Sequence, residues 1–251
     1  MHGFGNKIKN INKLTPYEIR VFFVIINKKE QSNMKVINIT NGQYFNDYMS
    51  KKKEGLFVPF NEALIQGNPK YPLFDNEFII ERTKTHYKDV SKTQDYLDNM
   101  TCFLSKSNEF KLYDEIKLWF GEDTFCVINL LSILTYLEQL EYKNKIILNV
   151  IDDETYKVLS SNHNIELGKF TMSYKALFYM NKFIPTGYPI IDKGINDYLY
   201  LKKEKNHLYK YIKENKDKLT EEELLINLLS QTKEYGLSDV ILLEMIKESD
   251  R

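Results

Sequence analysis

The feature that most constrains this chain is a strand–helix–strand unit near its centre. EIKLWF at Glu115–Phe120 alternates branched and aromatic residues with polar ones and reads as a strand. Gly121-Glu122-Asp123 is a tight turn. The segment that follows, TFCVINLLSILTYLEQL from Thr124, is a helix that is apolar on nearly every face from Phe125 to Leu137. A helix without a polar face has to be buried all round. NKIILNVID (Asn144–Asp152) is the next strand. Strands joined through a helix pair in parallel by a right-handed crossover. The expected fold is therefore α/β: a small, mostly parallel, Rossmann-like sheet with flanking helices, plus an all-helical C-terminal region.

The rest of the chain extends this reading. KVINIT (Lys35–Thr40) is a strand, broken by Asn41-Gly42 before a short helical stretch, QYFNDYM. GLFVPF (Gly55–Phe60) is another, and Pro59 argues against a fully paired central position there. NEALIQGNPKYP reads as a loop, and residues 74–112 show no clean period, with helices expected around Ser91–Leu104. Beyond Asp152 the pattern turns helical. One helix covers Thr171–Phe183 and a single long one covers residues 191–215. A capping box of Thr220 and Glu223 opens a helix to about Glu234, and Ser238 opens the last one. Residues 1–33 form an N-terminal extension with a helix start at Thr15-Pro16. The expected division is 1–33, an α/β domain over 34–165, and a helical region over 166–251.

Composition narrows the function classes. The chain has 35 basic and 35 acidic side chains and no net charge, which argues against a nucleic-acid binder that grips many phosphates. Cys102 and Cys126 have no CxxC spacing and no neighbouring His, so no metal site is expected and free thiols in a reducing cytoplasm are. The apolar run Thr124–Leu137 is too short to span a bilayer, and no membrane association is expected.

In open parallel sheets a ligand sits beyond the carboxyl ends of the strands. The residues just past each strand are Asn41-Gly42, Asn61-Glu62, Gly121-Glu122-Asp123 and Asp152-Asp153-Glu154. Such a rim of amides and carboxylates could hold a divalent cation, a polyol or ribose hydroxyls. The same residues are also ordinary helix caps. G-x-G-x-x-G and Walker A sequences are absent, so no cofactor is indicated. Asn129 lies mid-helix, where a buried amide needs partners: it either bonds neighbouring backbone or reaches the crevice. Cys126 sits in the first turn of the same helix, and with no base fixed nearby by sequence it reads as a buried structural thiol.

Ile39–Gly42 (ITNG), the NEALIQG loop, Arg82 and Leu118–Leu131 (LWFGEDTFCVINLL) together resemble the bacterial domain-of-unknown-function 1835 family. The likeness covers roughly Met34 to Asp152, and the GLSD region is similar, more loosely, to a helical companion domain. The resemblance implies where a site should lie rather than a reaction. Asn41, Gly42, Glu62, Arg82, Asp123, Cys126 and Asn129 match the family pattern, whereas Gln43, Gln66 and Val127 depart from it, which weakens a catalytic reading.

Two functions are carried forward. In the first, the chain binds a small polar or nucleotide-like ligand at the carboxyl edge of the sheet, through Asn41, Gly42, Glu62, Glu122, Asp123, Cys126 and Asn129, with Arg82 as anion partner. In the second, it is a non-catalytic interaction or regulatory protein that uses its acidic C-terminal helices, the pair joined at YGLSD having a helix-turn-helix look.

Overall fold

The computed structural model describes residues 34–203 and 206–249, so the helix expected to begin at Thr15 lies outside the described residues. Five strands form one sheet: β1 (Val36–Asn41), β2 (Leu56–Phe60), β3 (Glu115–Phe120), β4 (Lys145–Ile151) and β5 (Val158–Asn164), in the spatial order β2-β1-β3-β4-β5. The first four are parallel, and β5 returns antiparallel to β4. Among the described residues β2 pairs only with β1, so Pro59, opposite Thr40, sits on an edge strand where its missing N–H breaks no second ladder.

The sheet's side chains alternate between two faces. Ile37, Ile39, Val58, Phe60, Ile116, Leu118, Ile146 and Leu148 enter the main core. On the opposite face Phe57, Trp119 and Ile151 cluster with Phe45 and Met49 of α1 (Gln43–Lys52). The apolar central helix, here α4 (Thr124–Gln139), is buried at every position from Cys126 to Leu137. It contacts β1 and β3, and also α5 (Phe170–Met180) and α6 (Pro189–Leu201), which explains why it carries no polar stripe. Gly194 of α6 is a point of close approach in that packing: a Cβ there would overlap the Val127 side chain.

Where the structure departs from expectation, local chemistry accounts for it. β5 was not expected after Asp152. Its sequence, VLSSNHN, is exposed along nearly its whole length and shows no apolar alternation. An additional helix, α2 (Asn76–Tyr87), precedes α3 (Thr93–Ser107). Asp75 caps it, accepting from the Phe78 N–H at 2.8 Å, and Lys88 closes it in the left-handed region. The expected long helix over 191–215 is two: α6 and α7 (His207–Asn215), the second capped by Asn206. The Thr220–Glu223 capping box opens α8 (Glu221–Gln231), and Ser238 caps α9 (Asp239–Glu248), as expected. Between them Gly236 adopts φ 63°. The change to all-helical character near residue 165 is not a break in packing, because Phe170, Ile191, Leu208, Leu228 and Leu242 join the same core as Ile37 and Leu118.

Gly194→Val should lower stability by ~1–3 kcal/mol, as overpacking does, despite the higher helix propensity of valine. Thermal denaturation should show Tm falling by several degrees and partly recovering in Gly194→Val/Val127→Ala. An unchanged Tm in the single variant would mean that α6 does not seat on α4 at this point.

Candidate functional site

The strand order reverses between β1 and β3: the chain leaves β1 towards β2 on one side and returns to β3 on the other. The carboxyl ends of β1 and β3 therefore form the switch point where open α/β sheets leave a crevice. Asn41 ends β1 there, and Gly42, at φ 83°, turns the chain into α1 while its N–H donates to the Phe60 carbonyl at 3.0 Å. β3 ends there too, and Asp123 caps α4 by accepting from the Cys126 N–H at 2.9 Å.

A hydrogen-bonded network links these ends. Asn129, fully buried, accepts from the Leu64 N–H (3.1 Å) and donates through Nδ2 to Asn41 Oδ1 (2.9 Å) and to the Glu62 carbonyl (2.6 Å). It thus bonds backbone and reaches towards the crevice at once. Asn41 Nδ2 donates to Cys126 Sγ at 2.8 Å, and the thiol donates to Asp153 Oδ2 at 3.0 Å. Asp153 lies in the β4–β5 turn, which is held by Asp152 Oδ1 accepting from the Thr155 N–H and hydroxyl, each at 2.7 Å. The Asp153 residue faces solvent, yet its Oδ2 turns inward onto Cys126. Two glycines leave room for the acids. A Cβ at Gly121 would overlap Asp153 Oδ2, and one at Gly236 would overlap Asp123 Oδ1.

Glu62 and Arg82 form a separate unit. Arg82 is 0% exposed, and its NH2 lies 2.8 Å from Glu62 Oε2. Its Nε also donates to Glu62 Oε2 (3.0 Å), its Nη1 to the Gln66 carbonyl (2.6 Å) and its Nη2 to the Ala63 carbonyl (2.8 Å). Burial alone would raise the Glu62 pKa, but Arg82 beside it and the His86 hydrogen bond override this and lower it to about 2. The guanidinium is thus spent on pinning the 62–66 loop and does not face the rim. Of the departing positions, Gln43 is exposed and bonds Asp47, and Val127 is buried against α6.

The electrostatics at the switch point decide what it can do. Burial, with Asp123 and Asp153 adding to it, pushes the Cys126 thiol well above its ordinary value, which favours the protonated form. Burial and the neighbouring Asp123 carboxyl also push Asp153 up to about 7, against the stabilising thiol hydrogen bond. One oxygen each from Asp123 and Asp153 and the Cys126 sulfur lie within 4.8 Å of one another, a spacing that could hold a divalent cation. The two acids also border two clefts. One, of about 270 Å³, is lined by Asn41, Tyr44, Cys126, Tyr156 and Gly236. The other, of about 590 Å³, has Glu122, Glu154, Lys193 and Lys233 on its walls.

No known family, curated protein or solved structure matches this chain. Of the sequence-predicted residues, the structure brings Asn41, Gly42, Asp123, Cys126 and Asn129 together, sets Glu122 on the adjoining cleft, and withdraws Arg82 and the Glu62 side chain. Asp153 was visible in sequence only as one of three acids after β4. Gly121 and Gly236 gave no signal of their contacts with the acids.

Because the folded-state pKa of Asp153 lies above its unfolded value, the proton is held more tightly in the native state. That stability is fully present below about pH 4 and is lost as pH rises through about 7. Asp153→Asn, which mimics the protonated carboxyl, should be more stable than the parent by a margin that widens from pH 4 to pH 8 in denaturant titrations. A constant margin would contradict the raised pKa.

Proposed function

We propose that this protein binds a small polar, nucleoside-like ligand at the β1/β3 switch point. The observation that carries this reading is the convergence of Asp123, Asp153 and the Asn41–Cys126 pair beside an open cleft at that point. Asn41 and Cys126 are bonded to each other and to their neighbours, and Asp123 and Asp153, each holding Cys126 through one oxygen, are the acidic groups on the cleft that would receive a ligand. Carboxylates recognise donors, which favours vicinal hydroxyls or amines over phosphate. Tyr44 lines the same cleft at 86% exposure, with Tyr156 nearby, and offers a ring face on which a base could stack. α1 follows Gly42 as N-cap, with no side-chain cap and no acid in its first turn, leaving N–H groups for a polar substituent on the ligand.

The raised pKa of the buried Cys126 thiol favours binding over covalent catalysis. Thermal shift measurements against nucleosides, free ribose and polyols, with and without magnesium, should find a compound that raises Tm by several degrees at saturating concentration. The shift should vanish in Asp123→Asn and in Asp153→Asn. A panel without effect on the parent, or a shift that survives both substitutions, would refute the reading.

A further inference from the structure

A second cavity lies apart from the switch-point site, where the Ile65–Asn68 loop meets α6, α7 and α9, and it shares no lining residue with either cleft there. Its volume is about 350 Å³, within the range of sites that enclose a small molecule. Tyr198, Leu201, Leu237, Ile241 and Met245 give it an apolar wall.

The charged groups around it are unevenly committed. Lys88 Nζ pairs with Glu244 Oε1 at 3.1 Å, and Glu248 Oε2 accepts from the Tyr209 hydroxyl at 3.1 Å. Lys202 makes no ion pair among the described residues, and its Nζ stands 5.3 Å from the centre of the Tyr198 ring. Lys202 is an exposed lysine on the cavity wall, and with no carboxylate bonded to it among the described residues it can pair with an anionic group. A dianion such as a phosphate monoester would need a second cation, and Lys88 is already paired.

We infer that this cavity binds a small amphiphile bearing one carboxylate, with the head on Lys202 and the apolar body along Leu237, Ile241 and Met245. The site is independent of the proposed function at the switch point.

Isothermal titration of the full chain with octanoate tests it, with octanamide and octylamine as head-group controls. Octanoate should bind saturably. Octanamide should bind about tenfold more weakly or worse, and Lys202→Gln should lose a similar factor for octanoate, the equivalent of one charge contact. Lys202→Arg should retain binding, and Asp153→Asn should leave it unchanged, which separates this cavity from the switch-point site. Absence of saturable octanoate binding, undiminished binding by Lys202→Gln, or octylamine binding as tightly as octanoate would overturn the inference.

Discussion

The burial of α4 is the constraint on which the rest of the structure depends. A helix with Val127, Ile128, Leu130, Leu131, Ile133, Leu134 and Leu137 all at 0% exposure needs cover on every side. The sheet supplies one side, and α5 and α6 supply more, with Gly194 allowing the close approach at Val127. Each buried leucine or isoleucine contributes about 1.5–3 kcal/mol relative to an exposed one, so losing either cover would expose several such side chains at once. That dependence is why the C-terminal helices share one core with the sheet.

The same burial gives the switch point its chemistry. Asn129, inside α4, has no water to turn to, so its amide must bond Leu64, Glu62 and Asn41. Those bonds fix the end of β1 and the loop after β2 relative to the helix start. Burial of the Cys126 thiol, and of the Asp153 oxygen that turns inward onto it, raises the pKa of both. The buried Glu62–Arg82 pair performs a different task. Removing either partner of such a pair typically costs about 3–5 kcal/mol, which suits a clamp on the 62–66 loop better than a ligand contact.

The parallel unit at the centre was legible because strand and helix there have opposite, unmistakable patterns: short branched runs on either side of an all-apolar helix. β5 was not, since a strand exposed along nearly its length carries no core-facing period. The break between α6 and α7 depends on Asn206, whose side chain caps α7 and donates to the Leu201 carbonyl, a pairing that sequence spacing does not announce. At the site, Asn41, Asp123 and Asn129 could be read from their places just past strands or within a buried helix. Arg82 could not be assigned, because the choice between facing a ligand and facing Glu62 is decided by tertiary contacts. Asp153 joined the site only through the hairpin that β5 creates.

The central claim is that Asn129 ties the β2 loop and the end of β1 to the buried helix and so preorganises the switch point. Amide hydrogen exchange on Asn129→Leu, compared with the parent, tests it most directly. The account predicts that the Leu64 amide, which loses its acceptor, becomes markedly less protected, while amides within β3 and β4 keep their protection. Unchanged protection at Leu64, or an even loss across all the strands, would contradict it.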